Sequence, residues 1–385
     1  MNRLMSSGES NPPLSDQRLR VLKACCRQKS DKIPKGEFGI EPALCRRLLE
    51  LVGHDAGKIM GNKFSVREEN DLFEKGLSRP GETKMANLIP VLEALSMDLT
   101  AINPGFPPRQ KRGKDKRGRR YWIDFWGNEV VEVGNSLATV VPACSEIRQL
   151  LRYNWPVLGK IITEPIERWS QETPYFIFSQ IPGPFSLLGG LSSFLDFLGY
   201  TQAYPEEIKQ LATVTGKWLE ALIERCIKAG AQGIVINEDL AYDRGPWIAE
   251  SAFRKIFFPA LGEMVRFTQK RGVPILLHSD GNIRSLLPDV VDMGFDGIHS
   301  LQPSAGMRLV EVKAEYGTRL CLMGNLDCDY LLPQGSIEEI KTATWETLRV
   351  GAPEGGFIFS SCAGILSAEW PAENVLAMYR AAENF

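Results

Sequence analysis

Short apolar runs alternate with helical patterns along most of this chain. Eight runs have strand character, at residues 33–38, 97–102, 175–180, 233–238, 273–279, 295–301, 319–323 and 356–361. The fourth, Gly233-Ile-Val-Ile-Asn-Glu238, is continuous and β-branched, as expected of a parallel strand buried on both faces. Between the runs, apolar residues recur at helical spacing. Over 205–228 the positions Ile208, Leu211, Ala212, Val214, Thr215, Trp218, Leu219, Leu222 and Ile223 keep a roughly 3.6-residue spacing. Further helices are predicted over 247–271, 283–293, 307–316, 336–350 and 371–383. Gly230, Gly272 and Gly294 mark helix stops that lead directly into the next strand. Strand–helix alternation specifies a parallel sheet, and eight units predict closure into a (β/α)8 TIM barrel. An open doubly wound sheet is the alternative.

Three stretches depart from the repeat. Residues 120–133 hold Tyr121-Trp-Ile-Asp-Phe-Trp-Gly-Asn128 and predict an inserted β-hairpin with Gly127 and Asn128 at its turn. Residues 181–200 are aromatic and glycine-rich, which suggests a lid or loop over a pocket. Residues 1–18 are polar and carry Pro12 and Pro13, so a flexible arm is expected, followed by an N-terminal helical extension. Residues 19–385 then form one barrel domain.

Composition narrows the partners. A formal net charge of -2 gives no reason to expect nucleic acid. No apolar run reaches bilayer length, and the N-terminus lacks the apolar core of a secretory signal. Eight cysteines are scattered without a C-x-x-C pair, the pattern of reduced thiols. A cytoplasmic protein with no membrane partner is the expectation. The basic run from Arg109 to Arg120 is expected to be a solvated loop, or else a surface that docks an acidic partner protein.

A parallel barrel carries its chemistry at the C-terminal ends of its strands. There the sequence places Glu37, Asn237-Glu-Asp239, His278-Ser-Asp-Gly-Asn282, Gln302, Gly324-Asn-Leu-Asp327 and Ser360-Ser-Cys-Ala-Gly-Ile365. Of the three histidines, His278 precedes a tight turn at a strand end. His299 lies inside an apolar strand and reads as a core residue facing the helices. Glu238 and Asp239 are adjacent, so only one points inward, and Glu238 is expected to be that one. A Glu, a His and a Cys from three strands (Glu238, His278 and Cys362) would suit zinc, with an open fourth position for catalysis.

These strand-end segments, with Leu331-Leu-Pro-Gln-Gly335, Ile337-Glu-Glu-Ile340 and Pro371-Ala-Glu-Asn-Val375, resemble the uroporphyrinogen decarboxylase superfamily from about residue 19 to the C-terminus. The resemblance implies the barrel. It also implies one of two activities: decarboxylation of uroporphyrinogen without a cofactor, or zinc-dependent methyl transfer involving a corrinoid on a partner protein. The decarboxylases carry an arginine-rich motif after the first strand, whereas here Lys35-Gly-Glu-Phe-Gly-Ile-Glu-Pro42 stands in its place. The coenzyme M methyltransferases carry a His-x-Cys pair where this chain has His278 and Asp280, and a second Cys where it has Ala363, beside Cys362. The more oxygen-rich set resembles the branch that demethylates methyl ethers.

The resemblance therefore implies a methyltransferase moving a methyl group from a small methylated donor, an aryl methyl ether, to the cobalt(I) corrinoid (cobalamin) of a corrinoid protein. Glu238, His278 and Cys362 are expected to hold zinc. Glu37 and Asp280 are expected to orient His278 or donate a proton. Phe185, Phe194, Asp239, Gln302, Asn325 and Asp327 are expected to bind the substrate. The alternatives are a metal-free uroporphyrinogen-type decarboxylase, disfavoured if Glu37 and Glu238 both face the mouth, and a non-catalytic corrinoid- or tetrapyrrole-binding member.

Overall fold

The computed structural model of the chain describes residues 14–54, 85–133 and 136–385. Seven parallel strands follow one another around a single sheet: Leu99–Ala101, Phe176–Pro182, Gly233–Asn237, Ile275–Ser279, Gly297–Ser300, Cys321–Leu326 and Phe357–Ser361. They occupy the second to eighth runs read from the sequence. The first run closes the ring with two bridging residues. Lys35 pairs with Phe359 of the last strand, and Gly36 with Leu99 of the second, both in parallel. The Gly36 N–H donates to the Phe359 carbonyl at 3.1 Å and the Asp98 N–H to the Lys35 carbonyl at 2.7 Å. Glycine is required at this closure, because a Cβ on Gly36 would lie 2.6 Å from the Leu99 carbonyl oxygen.

Side chains alternate between the two faces of each strand. Phe38, Leu99, Phe176, Phe178, Val235, Leu276, Met323 and Ile358 point into the barrel, where they meet Val21, Leu22 and Cys25. Those three residues belong to the helix Asp16–Cys25, which Ser15 caps and which begins inside the expected arm. Arg18 on that helix donates to the carbonyls of Ser170, Thr173 and Tyr175, just before a strand begins. The helix therefore stoppers the N-terminal end of the barrel. Ile177, Ile234, Ile236, Ile275, Leu277, Ile298, Leu322 and Phe359 point outward and join the core under the helices.

The outer helices follow the sequence pattern closely. Pro205–Lys228 matches its expected range. Ile337–Gly351 begins at a capping box, with the Glu339 N–H donating to Ser336 Oγ and the Ser336 N–H to Glu339 Oε2. The expected single helix over 247–271 divides into Glu250–Ile256 and Phe258–Gln269.

Three expectations are corrected. The hairpin is present, with Arg120–Ile123 antiparallel to Glu129–Val133, but Gln110–Lys114 and Ser136–Val141 flank it to make a four-stranded sheet. Its central turn forms because the Asp124 carboxylate accepts the N–H groups of Gly127 and Asn128 at 2.7 and 2.8 Å. The basic run is therefore an edge strand and its turn rather than a loop, with Lys114, Lys116 and Arg117 exposed. The glycine-rich stretch 181–200 is mostly helical, with Pro184–Gly190 followed by the start of Phe194–Ala203. Among the described residues no helix is long and apolar enough to cross a membrane.

Candidate active site

Register puts three inward side chains in a row at the barrel's C-terminal end. His278 lies beside Asn237 on one neighbouring strand and His299 on the other. His278 Nδ1 and His299 Nδ1 are 2.8 Å apart. One of them must therefore donate to the other. His299 is fully buried and packs 4.7 Å from the Phe38 ring. Burial, reinforced by neighbouring His278, pushes its pKa well below the usual histidine range, so it stays neutral. His299 does not face the helices, as the sequence suggested; it stands behind His278 and fixes that ring from inside the barrel. The outer nitrogen of His278, Nε2, reaches to within 4.0 Å of Asp280 Oδ2. Gly364 covers both rings with φ +74, and a Cβ there would sit 3.4 Å from His299 Cε1 and 3.9 Å from His278 Cε1.

Asp239, His278 and Asp280 each bring one ligand atom within 4.8 Å of the others. Ser300 Oγ donates to Asp280 Oδ1 at 2.7 Å. The Asp280 N–H donates to Asp239 Oδ1 at 3.3 Å. Burial raises the Asp280 carboxyl, opposed by His278 and assisted by the neighbouring charges of Asp239 and Asp329. No Lys or Arg among the described residues forms an ion pair with Asp239 or Asp280. Two carboxylates and an imidazole nitrogen thus converge with no ion-paired Lys or Arg among the described residues.

Strand parity redistributes the expected ligands. Val235 and Asn237 face inward, so Glu238 faces out, and it is Asp239 that reaches the mouth. The Glu238 carboxylate is fully buried and accepts the N–H groups of Phe185 and Ser186 at 2.9 and 2.8 Å. It caps the helix Pro184–Gly190, and a Cβ on Gly183 would fall 2.3 Å from it. Glu37 likewise lies opposite to inward Phe38. Its carboxylate accepts the Ser361 N–H at 2.7 Å, Ser361 Oγ–H at 3.0 Å and Tyr379 O–H at 2.9 Å. Neither glutamate faces the mouth, so the expected repulsion of a polycarboxylate by this pair has no basis. Cys362 Sγ is 3.0 Å from Cys328 Sγ. The Cys328 hydrogen bond, then burial, hold the Cys362 thiol far above its ordinary pKa. Neither Glu238 nor Cys362 joins the group around His278.

The expected substrate residues also divide. Phe185 is buried among Phe197, Phe253 and Phe257, and Phe194 packs on Trp247. Asn325 Nδ2 donates to the Leu301 and Met307 carbonyls. The Asp327 carboxylate accepts the Tyr330 and Leu331 N–H groups. Gln302 accepts the Gly281 N–H and donates to Asp329, shaping the loop after His278. Asp239 alone among them borders both the His278 group and a cavity of about 300 Å³, which Phe106, Trp126, Gln180 and Asn237 also line. The sequence reading missed Asn237 and His299 as neighbours of His278, although counting alternate residues back from His278 and Leu276 would have oriented the adjoining strands.

Comparison with known proteins agrees with this architecture. Residues 138–385 match the family model described as uroporphyrinogen decarboxylase (URO-D). Two curated proteins, both named methylcobamide:CoM methyltransferase MtaA and both from Methanosarcina barkeri, are 25% and 24% identical over 236 residues. That alignment covers 61% of this chain and 66%, just under two thirds, of the relatives' length. A solved structure described as a methyltransferase from Methanosarcina mazei superposes with a TM-score of 0.68 at 19% identity, covering 97% of this chain and 99% of that one, which establishes a shared fold. With the family model spanning well over half of its length, this chain belongs to the uroporphyrinogen decarboxylase (URO-D) family.

Proposed function

We propose that this protein is a corrinoid-dependent methyltransferase. It takes a methyl group from a small methylated donor, an aryl methyl ether, and passes it to the cobalt(I) corrinoid of a partner protein. Similarity to proteins named methylcobamide:CoM methyltransferase supports the corrinoid. The group formed by Asp239, His278 and Asp280 carries the reading. Its donor set fits a zinc ion: two carboxylates balance the double charge, and His278 offers Nε2 because Nδ1 is engaged by His299. Bound zinc would act as a Lewis acid on the ether oxygen, easing departure of a phenolate-type leaving group.

The chain's own residues position this chemistry. His299 locks the ring plane of His278, and Ser300 holds one oxygen of Asp280. Asp280 is thereby kept beside His278 as a second carboxylate for the metal, where an orienting or proton-donating role had been expected. Glu238 gives up its expected ligand role to Asp239, one residue on. Glu37 is part of the barrel wall. The corrinoid protein is proposed to approach the open C-terminal mouth, in the cytoplasm, where thiols and cobalt(I) stay reduced.

The test combines metal analysis with turnover. Purified protein should carry about one zinc per chain, and His278→Ala should lose most of it. With reduced cobalamin as acceptor, the wild type should demethylate at least one methoxyaromatic, and strong chelation should abolish this. Zinc retained at full occupancy by His278→Ala overturns the metal site. Metal-independent conversion of uroporphyrinogen overturns the activity.

A further inference from the structure

Two of the eight cysteines meet at the barrel mouth. The strands Cys321–Leu326 and Phe357–Ser361 end on the facing pair Leu326 and Ser361, and the Cys362 N–H donates to the Leu326 carbonyl at 2.9 Å. Cys328 and Cys362 therefore follow neighbouring strand ends. Backbones there run about 4.8 Å apart, inside the roughly 4.4–6.8 Å that a disulfide spans between Cα atoms. The two sulfurs are in contact at 3.0 Å. Cys362 is buried, whereas Cys328 is half-buried and open to a reagent in solution. Cys25 also hydrogen-bonds Cys321, but both are fully buried at the stoppered end, beyond such a reagent.

Each cysteine sits on a segment tied to the site. Cys328 lies in the turn that Asp327 closes by accepting the Tyr330 and Leu331 N–H groups. Its neighbour Asp329 accepts from Gln302 Nε2 at 2.8 Å, and Gln302 in turn accepts the Gly281 N–H at 2.9 Å, one residue beyond Asp280. Gly364, two residues after Cys362, covers the rings of His278 and His299. Past these anchors the chain is exposed at Tyr330 and Ile365. A bond between the sulfurs would staple together two segments that flank and cover His278.

We infer that Cys328 and Cys362 form a reversible disulfide that latches the mouth when a low-molecular-weight disulfide accumulates. The Cys328 thiolate attacks one sulfur of the oxidant and expels the other as a small thiolate. Cys362 gives up its proton and attacks the Cys328 sulfur, expelling the second small thiolate. Two protein thiols are thus oxidised to one disulfide while the small disulfide is reduced to two thiols, which take up the two released protons. Such a crosslink restrains local opening as well as the unfolded chain. The latch closes under the conditions in which cobalt(I) is lost, and a reducing thiol reopens it. The bond itself is independent of the proposed function; what it guards, zinc at the His278 group, rests on that reading.

Treating the purified protein with excess oxidised glutathione, and then with dithiothreitol, tests it. Peptide mapping should find Cys328 joined to Cys362, and dithiothreitol should undo the bond. Amide hydrogen exchange over 327–331 and 362–366 should slow at least roughly tenfold in the oxidised form. Zinc release to a chromogenic chelator should slow to a similar degree. Cys328→Ser should show neither change under the same oxidant, and Cys362→Ala serves the same purpose should Cys328→Ser fail to fold. Glutathione left on Cys328 without ring closure overturns the inference, as does a Cys328–Cys362 bond that leaves amide exchange unchanged. Slowed exchange in a protein whose zinc is absent, or is released no more slowly, counts against the His278 metal site and leaves the latch standing. Zinc held through His278 with no bond formed does the reverse.

Discussion

Replacing Glu238 with glutamine separates a structural carboxylate from a metal ligand in one experiment. Glu238 is fully buried, and burial raises its pKa to about 7, against the lowering pull of the Ser186 and Phe185 N–H groups. In the unfolded chain the group returns to about 4.3. Between these values the folded state binds the extra proton, so this group's contribution is most favourable at low pH and is lost as pH rises through about 7. From pH 5 to pH 8 the loss amounts to roughly 2.5 kcal/mol. Glu238→Gln should remove that slope, because the amide keeps the shape and one acceptor but cannot ionise. Urea unfolding at the two pH values measures it. The wild type should lose stability more steeply than the variant, while zinc content stays unchanged. Parallel pH profiles would refute the burial argument, and zinc lost from a folded Glu238→Gln would return Glu238 to the ligand set. Glu37, also raised to about 7 by burial, contributes in the same direction in both proteins and cancels from the comparison.

Two further outcomes are expected. His299→Phe fills the same space but removes the nitrogen that fixes His278, so zinc affinity should fall roughly 10- to 100-fold with the fold intact; unchanged affinity in equilibrium competition with a chelator would show that His299 is only packing. Neutralising the exposed Lys114, Lys116 and Arg117 should slow transfer to protein-bound corrinoid and flatten its salt dependence but spare free cobalamin, since exposed charge is screened over about 8 Å; equal effects on both acceptors would remove the edge strand from docking.

The barrel was legible because its signals are local. Continuous β-branched runs, helical spacing and glycine stops recur in order, and Pro205–Lys228 was delimited correctly from them. The site was less legible, for the same reason that made the strands easy to find. A strand buried on both faces is apolar at every position, so its hydrophobic pattern does not say which residues point inward. Glu238 was preferred to Asp239 on that missing parity, and Glu37 was placed in the mouth by it. The partner that settles Glu238 is a helix terminus some 50 residues earlier in the chain, at Phe185 and Ser186. The flanking strands of the inserted sheet were hidden differently. Gln110–Lys114 is an edge strand dense in lysine and arginine, a composition that protects an open edge and also mimics a loop.

The helix Asp16–Cys25 bears on the order of events in turnover. With that end stoppered, donor and corrinoid protein would share one entrance. A donor held at Asp239, His278 and Asp280, as proposed, would lie beneath the surface that the larger partner must cover. The kinetics should then be compulsory-order, with donor binding first and demethylated product leaving only after the corrinoid protein departs. Excess corrinoid protein should inhibit by occupying the mouth before the donor arrives, and raising the donor concentration should relieve that inhibition.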